Sequence, residues 1–150
     1  MNDQVVRMRA WLRAGLLFLV VVETAIGVWQ YFFSRSFYTN FPTVALDPPY
    51  NQHLLSDVGG LTLALTAVVA YAAIHLEYRL VCGALIGYLV FAVTHVVFHL
   101  THLDGFSTAD ALEVLPVLVI AAVIPIALLV LARRIDQATV DEPAVTRVTS

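Results

Sequence analysis

The sequence predicts an all-α integral membrane protein: a bundle of four antiparallel transmembrane helices with the N- and C-termini on the cytoplasmic side. Three observations predict it. The chain is 60% hydrophobic and only 13% charged, where soluble domains lie nearer half apolar and a quarter charged. The excess falls into four long runs, each near the ~20 apolar residues that a helix needs to cross the hydrocarbon core. The charges gather between the runs and at the chain ends.

The runs are about Trp11–Phe33, Leu54–Leu76, Leu80–Thr101 and Ala109–Ala132. They are too long for strands and carry no alternating polar face. Pro116 and Pro125 fall inside the last run, where a membrane bundle tolerates them as kinks. The first run follows a basic stretch, as a signal peptide would. It is long for one, however, and no small-residue cleavage site follows it, so it reads as an uncleaved helix. Arg7, Arg9, Arg13, Arg79, Arg133 and Arg134 all fall on one side if the spans alternate, and Arg35 falls on the other. The positive-inside rule then makes the termini and the Glu77–Arg79 turn cytoplasmic. It leaves the Ser34–His53 loop and the Leu103–Thr108 turn outside. Residues 1–135 form one transmembrane domain, and the polar stretch 136–150 reads as a disordered tail.

The outer loop contains Pro42, Pro48 and Pro49. A loop that long in so small a chain is usually functional or packed, and it is expected to fold as a lid over the bundle mouth. Net charge is −3, which argues against a nucleic-acid partner. The single cysteine, Cys82, excludes an intrachain disulfide. Gly83 and Gly87 have the spacing of a helix-packing motif, which is common in membrane helices. Gly59 and Gly60 are expected to let the second span pack closely.

Ionisable residues inside spans are costly and usually mark function. Here they are Glu23 in the first span, His53 and Asp57 opening the second, His95, His99 and His102 ending the third, and Asp110 and Glu113 opening the fourth. At about 100° per residue the three histidines share one helix face. At a rise of ~1.5 Å per residue, His99, Asp57 and Glu113 lie roughly 4–7 Å below the outer boundary, His95 about 10 Å and Glu23 about 15 Å. Antiparallel threading would stack them at a common level. His95 and His102 are ~10 Å apart along the axis, so one ion cannot readily bind both.

His and carboxylate groups at i, i+3 or i, i+4 spacing are how helical bundles build metal sites. The expected metal set is His53, Asp57, His95, His99, His102 and Glu113, with Glu23 in support. The donor mixture suits the transition metals Zn, Fe, Mn or Cu and selects none of them. Haem ligation by His53 with His95 or His99 has less behind it, since no wider haem motif is present. The bland alternative has equal standing: the histidines hydrogen-bond within the bundle and hold it together. Asp110 in a helix's first turn, with Ser107 or Thr108 as caps, is explained by capping and the helix dipole.

The stretches Ser34-Arg35-Ser36-Phe37-Tyr38, Phe41-Pro42, Pro48-Pro49-Tyr50-Asn51-Gln52-His53-Leu54 and Asp57-Val58-Gly59-Gly60 resemble a family of small uncharacterised bacterial four-helix membrane proteins, some of them termed DoxX-like. His95, His99 and His102, in the run THVVFHLTH, also look like a pattern of that family. The resemblance covers most of the chain to about Glu113. It implies the four-helix fold and the bacterial inner membrane, and it carries no activity. Gln52 stands where such relatives are expected to have Glu, which keeps this position out of the site.

The favoured expectation is a His/carboxylate pocket near the outer face. It would bind a transition metal and support redox or hydrolytic chemistry on a lipophilic substrate. The other expectations are a non-enzymatic accessory subunit of a larger membrane complex and a small transporter or proton-coupled carrier. Beyond the lipid bilayer, the expected partners are a second copy of the chain or a larger membrane complex.

Overall fold

The computed structural model describes residues 3–46 and 49–140. Among them the chain forms five α-helices and no strand. These are α1 (Asp3–Phe32), α2 (Ser34–Asn40), α3 (Gln52–His75), α4 (Tyr78–Thr101) and α5 (Thr108–Val140). Helices α1, α3, α4 and α5 are each long and apolar enough to cross a membrane. Their surfaces suit lipid: Trp11 and Leu61 are about 70% exposed, and only 11% of the most apolar stretch of α5 is buried. In water this much exposed apolar surface would drive association. In a bilayer it is the solvent contact, and the helix form satisfies the backbone where no water can.

Local chemistry sets the helix ends. Asn51 Oδ1 accepts the Leu54 N–H at 3.1 Å and caps α3. At the other end of α3, Leu76 takes a left-handed conformation (φ +50°) and its N–H bonds back to the Ala72 carbonyl. Arg13 donates to the last carbonyls of the same helix, Ala73 at 3.2 Å and Ile74 at 3.5 Å. A cation there is favoured by the helix dipole. Ser107 and Asp110 cap α5 reciprocally: Asp110 Oδ2 accepts from the Ser107 N–H and hydroxyl, and Ser107 Oγ accepts the Asp110 N–H.

Two boundaries differ from the sequence reading. The segment after the first span, read as loop, begins with the short helix α2. Helix α5 runs five residues past 135 because no proline or glycine interrupts it before Val140. The disorder expected beyond that point falls outside the described residues.

The spanning helices pack in a ring. Helix α1 lies against α3, α3 against α4, α4 against α5 and α5 against α1. Across the diagonals, α1 to α4 and α3 to α5, no described backbone positions approach within 8 Å. The α1–α3 contact is the tightest. A Cβ built on Gly59 would sit 2.7 Å from the Tyr31 nitrogen and 3.1 Å from the Gly27 carbonyl oxygen. One on Gly27 would press on Leu63 at 3.0 Å. The absent side chains are what let the two backbones approach.

The dry core occupies one half of the ring. Leu12, Leu16, Leu19, Val69, Ala72, Val81, Leu85, Leu128 and Ala132 are buried together, all toward the α3–α4 turn. The half toward α2 is hollow.

The Gly59 contact is with backbone, which cannot move aside as a side chain can. Gly59→Ala is therefore expected to destabilise the bundle by about 1–3 kcal/mol, as overpacking does elsewhere. Gly83, whose added methyl would meet nothing within 4 Å, serves as the control. Gly83→Ala should leave the thermal unfolding midpoint in detergent unchanged or slightly raised, while Gly59→Ala lowers it. Equal midpoints for the two would contradict the close-approach account.

Candidate functional site: an apolar cavity with a carboxylate and two histidines

The hollow half holds a partly open cavity of about 660 Å³, lined by all four spanning helices and by α2 with the turn that follows it. On α4, Tyr88, Ala92, His95 and His99 fall on one face at 4-3-4 spacing, and all four line the cavity. On α1, Glu23 and Gln30 reach the same space. On α5, Val114, Val117, Leu118 and Ala121 form the facing helical stripe.

Helix α2 and its following turn cover the wide end through Phe37, Tyr38, Phe41, Pro42, Thr43 and Val44. This cover is tied down on several sides. Phe37 and Phe41 stack at 4.7 Å, and Trp29 meets both edge-on at 5.6 and 6.0 Å. The Trp29 indole N–H donates to Ser36 Oγ. The Ser34 and Tyr50 hydroxyls share a hydrogen bond of 3.0 Å, and the Arg35 guanidinium lies over the Tyr50 ring at 4.7 Å.

Among the described residues, a polar link between α1 and α4 spans the hollow. The Tyr88 hydroxyl on α4 donates to Glu23 Oε1 on α1 at 2.6 Å. It joins two helices whose backbones do not meet. Above it, His95 and His99 meet edge to face with ring centroids 4.8 Å apart. Phe91 stacks on His95 at 5.6 Å, and Phe98 and Phe106 meet His99 edge-on at 5.7 and 6.2 Å. The walls are thus mostly aliphatic and aromatic, with a few convergent polar groups.

The expected metal set divides. His95, His99 and the supporting Glu23 line the cavity. His53 and Asp57 pair with each other instead, Nε2 to Oδ2 at 3.3 Å, with side chains 86% and 59% exposed. They sit one turn apart on a helix surface, so the pair forms within α3 without help from another element. His102 ends α4 stacked on Phe98 at 4.3 Å, with Nδ1 3.1 Å from the Phe98 carbonyl and 3.0 Å from Thr101 Oγ1. Glu113 is exposed on α5. None of these four lines the cavity. Among the described residues, no group of three or more His, Cys, Asp and Glu side chains is placed to hold one ion.

Glu23, expected as support for the metal set, takes Tyr88 as its partner. Tyr88 is the residue that sequence reasoning missed. Its signal was present: it stands seven residues before His95 on the histidine face.

Removing the Tyr88 hydroxyl leaves a carboxyl group in the hollow without its donor. Tyr88→Phe is expected to destabilise the protein by about 0.5–2 kcal/mol, the range of interhelical hydrogen bonds in membranes. His53→Ala, which breaks an exposed pair, should leave the unfolding midpoint within experimental scatter. A larger loss for His53→Ala than for Tyr88→Phe would mean that the structural weight lies in the His53–Asp57 pair.

Comparisons with family models, with curated proteins and with solved structures give no match.

Proposed function

We propose that the protein binds a lipophilic small molecule in the hollow half of its bundle, oriented by Glu23, Tyr88, His95 and His99. The cavity carries this reading. At about 660 Å³ it has the volume typical of small-molecule sites, roughly 300–1,000 Å³. It also has their character, an apolar wall with a few placed polar groups. The aromatic residues of α2 and the turn after it line one end of the space. Acid–base side chains beside an apolar binding space suit proton transfer to or from the bound molecule. A metal-assisted version would rest on the neighbouring imidazoles of His95 and His99, short of the three protein ligands of a catalytic zinc site.

The same reading places the cavity on the outer side of a bacterial inner membrane, with four antiparallel spans and both termini cytoplasmic. Facing pairs support the threading, since residue numbers rise along α1 as they fall along α3: Arg13 with Ala73, Gly27 with Leu63, Tyr31 with Gly59. The arginine distribution supports the orientation.

Two measurements test these proposals. Native mass spectrometry of protein extracted in mild detergent is expected to show a retained organic molecule. Val58→Trp or Ala92→Trp, each filling the cavity from its own wall, should expel it. A wild-type protein with no adduct, or an adduct retained by both variants, goes against the binding reading. For the orientation, alkaline phosphatase fused after Ala45 or Asp104 should be active, and a fluorescent protein fused at the C-terminus should mature and fluoresce. The opposite pattern would invert the topology.

A further inference from the structure

The cavity's charge inventory is one-sided. It holds the carboxyl group of Glu23, and among the described residues no arginine lines it; the chain has no lysine at all. Arg35, within the cover helix α2, lies on the Tyr50 ring instead. The other nitrogen bases on the wall are the imidazoles of His95 and His99. A carboxylate away from water is costly until a cation or several donors satisfy it, and the Tyr88 hydroxyl supplies one donor.

The cavity wall is also rich in aromatic rings. Phe18, Phe37, Phe41, Phe91 and Phe98 all line the space. Aromatic rings attract cations through their quadrupoles, most strongly where the cation is desolvated. A carboxyl group that can ionise beside a cation, in a space lined by aromatic surface, forms a complementary environment for a positively charged molecule that carries its own apolar bulk.

We propose that the ligand is a lipophilic organic cation, a hydrophobic amine or onium compound whose positive centre pairs with Glu23 and whose hydrophobic groups contact the aromatic wall. This proposal rests on the binding reading above and narrows it. Tyr88 is the positioning residue: its hydrogen bond holds the carboxyl group toward the hollow. Anionic amphiphiles such as fatty acids are disfavoured by the same inventory, since they would bring a second negative charge beside Glu23.

Three probes of similar shape test it: tetraphenylphosphonium, uncharged triphenylphosphine oxide and the anion tetraphenylborate. Binding is measured on the full chain in phosphatidylcholine nanodiscs with empty nanodiscs subtracted, at pH 8, where an ordinary imidazole (about 6.5) is neutral. The expected result is saturable binding of the cation in preference to the other two. Glu23→Gln should weaken cation binding at least tenfold and leave the uncharged probe within threefold, which also shows that the variant keeps its cavity. Tyr88→Phe should weaken the cation less than Glu23→Gln does. If the uncharged probe or the anion binds as well as the cation, or Glu23→Gln leaves the cation unaffected, the cation proposal falls and the cavity reading survives. If none of the three binds saturably, the cation proposal falls, and the retained-molecule measurement decides the cavity reading separately.

Discussion

The close approach of α1 and α3 at Gly27 and Gly59 governs the rest of the structure. With no side chains between them, these two backbones make the tightest contact in the ring. Helix packing in lipid cannot draw on water exclusion, so close van der Waals contact and hydrogen bonding must supply the attraction. The approach aligns Arg13 with the end of α3 and Leu63 with Gly27, which fixes the register of the pair. Helices α4 and α5 then close the ring around a fixed edge.

That asymmetry produces the cavity. A four-helix ring fills its centre only if the side chains on both diagonals are large enough to meet. Toward the α3–α4 turn they do, where Leu16, Val69, Leu85 and Leu128 interlock. Toward α2 the side chains of the four helices leave a space between them, with Thr62, Ala92 and Ala121 on its wall. A long side chain from each side bridges the gap in the Glu23–Tyr88 hydrogen bond. One interaction therefore ties the diagonal together and also sets a polar group in an otherwise apolar hollow. Removing it would loosen the bundle and alter the binding environment together, so stability and binding need separate readouts at this position.

The histidines illustrate how helix phase sorts residues of one type. His95 and His99 share the face of Tyr88 and Ala92 and point into the hollow. His102 lies close to the same angle, but it falls where α4 ends, and the helix end supplies it with the Phe98 carbonyl and the Thr101 hydroxyl. His53 and Asp57 share one face of α3, yet that face is turned outward, while Leu54, Leu55, Val58 and Thr62 line the cavity. Axial depth read from the sequence said nothing about direction. A common level gathers groups into one site only when every helix also turns the right face inward, and α3 and α5 turn others.

Hydropathy alone determined the helical class and the four helices able to cross a membrane, because a bilayer leaves long apolar runs with few structural options. Capping chemistry at Ser107 and Asp110 was legible for the same local reason, and so was close packing at Gly59. The helix α2 was not legible, because the ring contacts of Trp29 with Phe37 and Phe41 and the contacts of Tyr50 with Ser34, Arg35 and Tyr38 hold it against its neighbours, and hydropathy does not register them. The division of the site residues was decided by tertiary structure as well. Glu23 and Tyr88 are 65 residues apart in the chain, and only the ring order of the helices, fixed by the glycine contact, brings them face to face across the hollow. Periodicity says which residues of a helix lie together; which neighbour they face depends on how the helices pack.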